Sequence, residues 1–396
     1  REPRCFLGSF DFSWEQRKLG DIADIVGGGT PSTGNQSYWD GDIDWYAPAE
    51  IADQIYANSS QKKITGLGYE NSSAKMLPPG TVLFTSRAGI GKTAILTRKG
   101  CTNQGFQSIV PHRGELDSYF IFSRTGELKR YGELVGAGST FVEVSGKQMA
   151  VMELMMPPTM REQQTIGGFF QQLDHLITLH QRKFEKLTNV KKSMLEKMFP
   201  QNGSSYPEIR FKGFTDPWEQ RKFDEVFDCT VPNNTLSRAE LSYDEGTVLN
   251  VHYGDVLIKY GSVLDVQKDD IPRIPHRCRE DFNGALLQDG DVIIADTAED
   301  ETTGKACEIG NLQGSAIVSG LHTMVCRPRN RMALGYLGYY LNSNAYHHQL
   351  LPLMQGIKVL SLSRSNIQKT SVSYPIAVKE QQLIAYYFSQ LDNLIT

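Results

Sequence analysis

The chain of 396 residues lacks long hydrophobic runs and closely spaced cysteines. No run approaches the roughly 18 consecutive apolar residues that a membrane-spanning helix needs. Only His322 and Cys326 are near neighbours that could begin a zinc site, so the sequence does not favour a metal centre. The spacing of the cysteines predicts free thiols in a reducing cytoplasm. The six cysteines are Cys5, Cys101, Cys229, Cys278, Cys307 and Cys326.

Signatures of common catalytic centres are missing as well. The chain has no Gly-x-Ser-x-Gly elbow, no His-Glu-x-x-His and no Asp/Asn-Pro-Pro-Tyr/Phe element of an adenine methyltransferase. Residues 86–93, SRAGIGKT, end like a phosphate-binding loop, but Ser86 stands where that pattern requires glycine. Two alternatives remain: a nucleotide-binding enzyme that uses Gly91-Lys92-Thr93, or a tight strand–strand turn with an exposed lysine. The pattern favours the turn, and the chain as a whole resembles a binding protein.

The charge balance does not by itself identify a ligand. The formal net charge is −4, with 41 Lys and Arg against 45 Asp and Glu. This total does not suggest nucleic acid, and it does not exclude it, because phosphates respond to local patches of charge.

The chain is an internal duplication. Residues 162–178, EQQTIGGFFQQLDHLIT, recur as residues 380–396, EQQLIAYYFSQLDNLIT, with 11 of 17 positions identical. The pentapeptide WEQRK at residues 14–18 recurs at residues 218–222. Between these motifs, short β-like runs alternate with glycine and proline, which predicts an α+β fold with two α/β domains of similar scaffold.

Landmarks inside the two domains align, whereas most of the intervening sequence does not. Gly290–Ile294 takes the place of Gly80–Phe84, a turn followed by a buried strand. Ser319–His322 takes the place of Gln104–Gln107. One scaffold carrying two different surfaces is therefore expected.

The predicted domain order follows from these repeats. We expect a first domain at residues 1–158, a long helix at 159–200, a second domain at 201–376 and a shorter helix at 377–396. Thr159 and Glu162 form a capping box at the start of the long helix, and Pro200 ends it.

Apolar residues recur at heptad spacing along the long helix and along its copy. This spacing predicts two helices that form an antiparallel coiled coil with a pseudo-twofold arrangement. A purely structural coiled-coil scaffold is one alternative function. The predicted seam consists of Ile166, Phe170, Leu173, Ile177, Phe184, Leu187, Met194, Ile384, Phe388, Leu391 and Ile395.

Two unlike domains held apart by a helical rod suit a duplex DNA ligand. Forty helical residues span roughly 60 Å. Major-groove faces recur on one side of the duplex every 34–36 Å or so, so a fixed separation between two readers selects a fixed spacing of half-sites.

The ordered motifs make the family recognisable. They are WEQRKLGDI, GGTPST, LPPGTVLFTSRAGIGKTAI, TNQGF, GSTFVEVS and REQQ. In this order, and with the repeat, the chain resembles the specificity subunit of type I restriction–modification systems. The resemblance implies two target-recognition domains, each reading one half of a bipartite asymmetric DNA site, and a coiled coil that sets their spacing.

The resemblance also implies partners and the absence of a catalytic centre in this chain. Two methyltransferase subunits would dock on the coiled coil, bind S-adenosylmethionine and methylate adenine at N6. Restriction–translocase subunits would use ATP and Mg²⁺. This chain would bind no cofactor or metal, and it would contribute double-stranded DNA recognition.

Candidate DNA contacts lie in loops that follow the predicted strands. Arginine pairs with guanine, glutamine suits adenine, and lysine contacts phosphate. An exposed loop side chain that touches no base is the alternative at each position. Tyr38, Trp39 and Trp45 could line the DNA face or pack a loop onto the core. The candidates are Ser86, Arg87, Lys92, Gln104, Gln107, Thr140, Lys147, Thr297, Lys305, Ser319, His322, Lys358 and Arg364.

Overall fold

A computed structural model describes residues 13–52, 54–87, 89–137, 143–201 and 203–395. The chain divides into two compact units, Arg1–His180 (unit 1) and Gln181–Thr396 (unit 2). In the described ranges, every helix is too short or too polar to cross a membrane.

Unit 1 contains short strands and one long terminal helix. Its strands are β1 Glu15–Lys18, β2 Ala23–Gly27, β3 Trp39–Tyr46, β4 Tyr56–Ala57, β5 Lys62–Ile64, β6 Val82–Phe84, β7 Thr93–Leu96, β8 Cys101–Thr102, β9 Gln107–Pro111 and β10 Glu153–Met156. Its helices are α1 Leu19–Ile22, α2 Gly66–Glu70, α3 Ser118–Ser123, α4 Thr125–Gly136, α5 Gly146–Ala150 and α6 Met160–Lys197, the last of which continues into unit 2.

Unit 2 has a similar succession of elements. Its strands are β11 Glu219–Lys222, β12 Phe227–Asp228, β13 Val248–Val251, β14 Val263–Asp265, β15 Arg273–Ile274, β16 Val292–Ala295, β17 Thr297–Ala298, β18 Ala306–Gly310, β19 Ala316–Ser319, β20 Thr323–Pro328, β21 Leu360–Ser361 and β22 Ser371–Tyr374. Its helices are α7 Phe223–Val226, α8 Tyr253–Ile258, α9 Tyr336–Leu341, α10 Asn344–His347, α11 Arg364–Ile367 and α12 Val378–Ile395.

The two units share one sheet topology. The strand order β2-β9-β6-β7-β4 in unit 1 corresponds to β12-β20-β16-β18-β14 in unit 2, and β5-β3-β8 corresponds to β15-β13-β19. The parallel pairs β4·β7 and β3·β8 recur as β14·β18 and β13·β19. The predicted similar scaffold is therefore confirmed, and each unit mixes helices with parallel and antiparallel strands.

The repeated glutamate of the helical motif anchors each helix to its own unit. In unit 1, the indole Nε1 of Trp14 donates to Glu162 at 3.0 Å. In unit 2, the indole Nε1 of Trp218 donates to Glu380 at 3.3 Å, and Arg210 adds two hydrogen bonds of 2.7 and 2.9 Å to the same carboxylate. Because buried carboxylates need such partners, tryptophan and glutamate recur together in the duplication.

A second repeated contact joins the same helices to the domains. The Tyr119 hydroxyl donates to Asp174 at 2.7 Å in unit 1, and the Tyr339 hydroxyl donates to Asp392 at 2.7 Å in unit 2. The aspartate is one of the identical positions of the repeat. The repeated sequence thus encodes the way in which a helix docks on its domain.

The predicted start and end of the long helix are confirmed. Helix α6 begins at Met160, where the Glu162 N–H donates to the Thr159 hydroxyl at 3.3 Å, and it ends at Lys197, just before Pro200. Shorter helices begin in the same way: Asp117 caps α3 and Ser145 caps α5. In each case a side-chain oxygen satisfies backbone N–H groups that have no partner inside the helix.

The helical seam has different surroundings in the two units. In unit 2, Ile384, Phe388 and Leu391 lie in the domain core and are at most 7% exposed, where Phe199 stacks on Phe388 with ring centroids 5.9 Å apart. Domain side chains share in covering these three residues, and their predicted place in a coiled-coil seam stays a prediction. Leu187 and Met194 pack against the same core, and Ile395 is half-buried.

The corresponding face in unit 1 is open. Ile166 packs on the core of unit 1, whereas Phe170, Leu173 and Ile177 are 42%, 38% and 53% exposed, and Phe184, in unit 2, is 53% exposed. Within unit 2, α6 and α12 are antiparallel by the order of their contacts, since Lys191 pairs with Asp392 while Phe199 meets Phe388. The full coiled coil stays a prediction.

Candidate nucleic-acid interface

The turn between β6 and β7 is the first part of the candidate interface in unit 1. The Thr85 N–H donates to Lys92 O and the Gly91 N–H to Thr85 O, both at 3.0 Å, and the Thr85 hydroxyl donates to Gly89 O at 2.7 Å. Gly89 and Gly91 have φ of 104° and 94°, a region that favours glycine. Because β6 and β7 are antiparallel, this is a strand–strand turn and not the strand–helix connection of a phosphate-binding loop.

Two other segments meet this turn. The Ser86 N–H donates to Gly105 O at 2.8 Å, and the Val144 N–H donates to Ser86 O at 3.0 Å. Arg87 forms an isolated β-bridge with Glu143, and the guanidinium lies 4.0 Å from that carboxylate with both side chains partly exposed. Three loops that are distant in sequence therefore form one edge of unit 1.

The same backbone hydrogen bonds define the equivalent edge of unit 2. The Ala295 N–H donates to Lys305 O at 2.9 Å, and the Asp296 N–H donates to His322 O at 3.1 Å. The Leu362 N–H donates to Asp296 O at 2.8 Å, and Thr297 pairs with Ser361 between β17 and β21. By position, Asp296, Thr297 and Lys305 correspond to Ser86, Arg87 and Lys92.

This correspondence corrects one sequence alignment. The His322 carbonyl accepts from the Asp296 N–H, as the Gly105 carbonyl accepts from the Ser86 N–H. His322 therefore takes the place of Gly105 and not of Gln107. Likewise, the Gly320 N–H donates to Val251 O at 2.9 Å as the Asn103 N–H donates to Tyr46 O at 3.0 Å. The sequence alignment was displaced by two residues since it matched the two glycines instead of the strand ends.

The unit 1 candidates differ in their access to solvent. Lys92 and Gln104 are exposed, and Gln104 accepts a hydrogen bond from Thr30. Gln107 is half-buried, and Lys147 is exposed on α5. Ser86 is fully buried, and its hydroxyl has no hydrogen-bond partner among the described residues. Thr140 lies outside the described residues.

In unit 2, two of the candidates face the protein interior. The Lys305 ammonium donates to Leu257 O at 2.8 Å, and burial lowers the pKa of this lysine. Ser319 is buried and shares a hydrogen bond of 2.5 Å with Thr323. Lys358 and Arg364, by contrast, have exposed side chains.

Thr297 and His322 form a polar pair at the edge of unit 2. The Thr297 hydroxyl donates to Asp296 at 2.7 Å and lies 3.4 Å from His322 Nδ1. The His322 side chain is 47% exposed and its φ is 54°. Both side chains carry hydrogen-bonding groups of the kind that can pair with base edges.

Sequence reasoning missed the residues that support this pair. The ring of Tyr253 lies 5.3 Å from that of His322 and 4.7 Å from that of His252. Burial lowers the pKa of His252. Asn250 is fully buried, accepts from Asn234 at 2.5 Å, and its Nδ2 has no partner among the residues that the structure describes. Asn250 lies in β13, and His252 and Tyr253 follow it, some seventy positions before His322, so no local sequence pattern indicated them.

Aromatic residues near the unit 1 edge pack a loop onto the core. Trp45 is buried and its indole donates to Gly29 O at 2.8 Å, while the Trp39 indole donates to Ser32 O at 3.1 Å. The two rings form an edge-to-face pair with centroids 5.1 Å apart. For these two residues, the packing interpretation is confirmed.

The cysteine and histidine suspected of metal binding are not neighbours in a metal site. Cys326 is buried, and its sulfur lies 3.5 Å from that of Cys229 on the adjacent strand segment. Across the described ranges, no group of three or more His, Cys, Asp or Glu side chains is placed to hold a metal ion.

Known proteins similar to this chain were found by sequence and by structure. Residues 13–189 match the family described as "Type I restriction modification DNA specificity domain". The type I restriction enzyme MjaIX specificity subunit of Methanocaldococcus jannaschii is 33% identical over 196 residues, which are 49% of this chain and 45% of that protein. The MjaVIII specificity subunit of the same organism is 20% identical over 394 residues, 96% of this chain and 87% of that protein.

A solved structure shares the fold. The S subunit of a type I restriction–modification system from M. genitalium has a TM-score of 0.53 at 12% identity and covers 98% of this chain and 91% of that one. The MjaIX alignment spans less than half of that relative. Residues 13–189 of this chain are thus similar to type I restriction modification DNA specificity domains.

Proposed function

We propose that this chain is the DNA-specificity subunit of a type I restriction–modification complex and has no catalytic centre of its own. Each unit reads one half of a bipartite, asymmetric site in double-stranded DNA. The observation that carries this proposal is the repetition of one loop-bearing edge, held by the same backbone hydrogen bonds, on a chain whose first half matches a DNA specificity domain.

The two edges differ in chemistry, which supports an asymmetric site. The unit 1 turn presents Arg87 and Lys92, whereas the equivalent unit 2 turn contains Thr297 and the carboxylates of Glu299 and Glu301. Arginine suits guanine and carboxylates suit the amino group of cytosine, so identical half-sites would not match both edges.

Partner subunits supply the reaction in this proposal. Two methyltransferase subunits bind S-adenosylmethionine and methylate adenine, and restriction–translocase subunits use ATP and Mg²⁺. The exposed apolar face of α6 is a suitable helix-packing surface, since Phe170, Leu173 and Ile177 lie on one side at heptad spacing. We assign to this face the coiled coil that sets the spacing between the half-sites.

Reconstitution with the methyltransferase of the same restriction system tests the proposal. Genomic methylation mapping should give a single bipartite motif, and affinity for a duplex with that motif should fall steeply with salt. Exchange of residues 219–374 for the second domain of another specificity subunit should change one half of the motif. Methylation without sequence preference would contradict the proposal.

A further inference from the structure

A loop of unit 2 presents an apolar side chain to solvent beside the candidate interface. Gln355 and Ser361 close the loop, with backbone hydrogen bonds of 3.0 and 2.8 Å between them. At the tip, the side chain of Ile357 is 100% exposed and that of Val359 is 51% exposed. A fully exposed isoleucine gains free energy when a ligand removes its apolar surface from water.

The loop is tightly folded. Gly356 has a φ of 129°, and a Cβ atom at this position would lie 1.9 Å from the carbonyl oxygen of Val359. Only glycine fits such a close approach of two backbone segments. The exposed position of Ile357 therefore follows from the backbone geometry of a closed turn.

The loop projects from the edge that carries the polar pair. Ser361 pairs with Thr297, whose hydroxyl lies 3.4 Å from His322, and the next residue donates its N–H to Asp296 O. Ile357 is thus four residues from a direct strand partner of Thr297. The loop and the polar pair therefore belong to the same edge of unit 2.

The surrounding sequence is cationic. No aspartate or glutamate occurs between Glu308 and Glu380. Lys358 at the loop tip and Arg364 after it are exposed. Lys358 and Arg364 can each neutralise a phosphate and release counterions, whereas the neighbouring turn carries the carboxylates of Glu299 and Glu301. The cations of the segment are Arg327, Arg329, Arg331, Lys358, Arg364, Lys369 and Lys379.

We propose that Ile357 makes an apolar contact with the bases of the half-site read by unit 2, while Lys358 contacts a flanking phosphate; this inference rests on the proposed function. Two base features offer the same apolar chemistry. One is the C5-methyl group of thymine in the major groove, and the other is a base step opened by an inserted side chain in the minor groove.

Binding of the full chain, in complex with its methyltransferase, to the mapped target duplex tests this contact. Ile357→Ser should weaken binding roughly tenfold, the ratio expected when about half of an isoleucine's burial is lost. Ile376→Ser is the matched control, because Ile376 is 64% exposed between β22 and α12 and lies outside the loop. Lys358→Gln should instead reduce the slope of log affinity against log salt by about one.

Modified duplexes distinguish contact with a thymine methyl group from insertion into a base step. Replacement of thymine by uracil in the unit 2 half-site should reproduce the tenfold loss if the methyl group is the partner. 2-Aminopurine at a base step of that half-site should brighten on binding if Ile357 inserts. If Ile357→Ser binds as tightly as the wild type while the wild type still discriminates the target from a scrambled duplex, the inference is wrong. If the wild type does not discriminate, the proposed function itself fails.

Discussion

At the scale of single residues, Arg87 is the side chain best placed to read a base in unit 1. It is 38% exposed, its ion pair among the described residues is a 4.0 Å contact with Glu143, and arginine can pair bidentately with guanine. Arg87→Gln should cost about 1–3 kcal/mol of binding and relax one position of the unit 1 half-site, with the unit 2 half-site unchanged. Methylation mapping of the variant complex measures both effects.

The control for this prediction is Arg113→Gln. Arg113 is exposed, but it follows the opposite end of β9 from Gln107, so it lies away from the turn. Equal relaxation of specificity by both variants would show that lost positive charge, and not a base contact, is responsible.

The acidic turn of unit 2 gives a second prediction at this scale. Glu299 and Glu301 are exposed and follow Thr297 in a turn near the proposed DNA path. The double variant Glu299→Gln, Glu301→Gln should bind non-target duplex more tightly, because two like charges no longer repel phosphates. Competition assays with scrambled duplex measure this gain, and an unchanged non-target affinity at low salt would place the turn away from DNA.

At the scale of elements, α9 depends on a buried carboxyl. Glu308 on β18 is 1% exposed and accepts from the Gly338 N–H at 2.9 Å. Burial raises its pKa to about 7, although backbone hydrogen bonds from Gly338, Gly335 and Leu337 oppose the rise. The unfolded state, with the ordinary pKa of 4.5, therefore releases this proton at a lower pH than the folded state does.

The contribution of Glu308 to the stability of unit 2 decreases as pH rises. Between about pH 4.5 and 7 the folded state binds more protons at Glu308 than the unfolded state does, so this group's contribution to stability falls as pH rises. The total loss is on the order of 3 kcal/mol. Glu308→Gln should remove this slope and stabilise unit 2 at pH 8, as measured by urea unfolding at several pH values. A slope equal to that of the wild type would contradict the assignment.

Sequence patterns predicted the secondary-structure elements better than they predicted the contacts between elements that are distant in the chain. The repeated tryptophan and glutamate and the capped helix α6 are identical or local features, so the sequence indicated them, but it did not predict the hydrogen bond between each Trp and Glu. The parallel pair β3·β8 joins residues more than fifty positions apart, and the burial of Ser86 depends on hydrogen bonds to Gly105 and Val144. Such non-local contacts leave no periodic signal. For the same reason, Tyr253 was missed.

At the scale of the whole molecule, α6 is the element whose length should control the DNA spacer. Side chains around the junction of His180 and Gln181 are exposed, so an insertion there disturbs no core. Seven extra helical residues add roughly 10 Å while rotating the helix by only about 20°. At 3.4 Å or so per base pair, the spacer should lengthen by about three base pairs, with both half-sites intact.

Methylation mapping of the insertion variant reads this spacer directly. A variant in which residues 180–183 are replaced by alanines without a change of length is the matched control, and its spacer should equal that of the wild type. The inserted heptad should preserve the helical faces, whereas a four-residue insertion turns them by about 40° and should impair assembly. If the heptad variant methylates sites with the original spacer length, the prediction that the length of α6 sets the spacer is wrong.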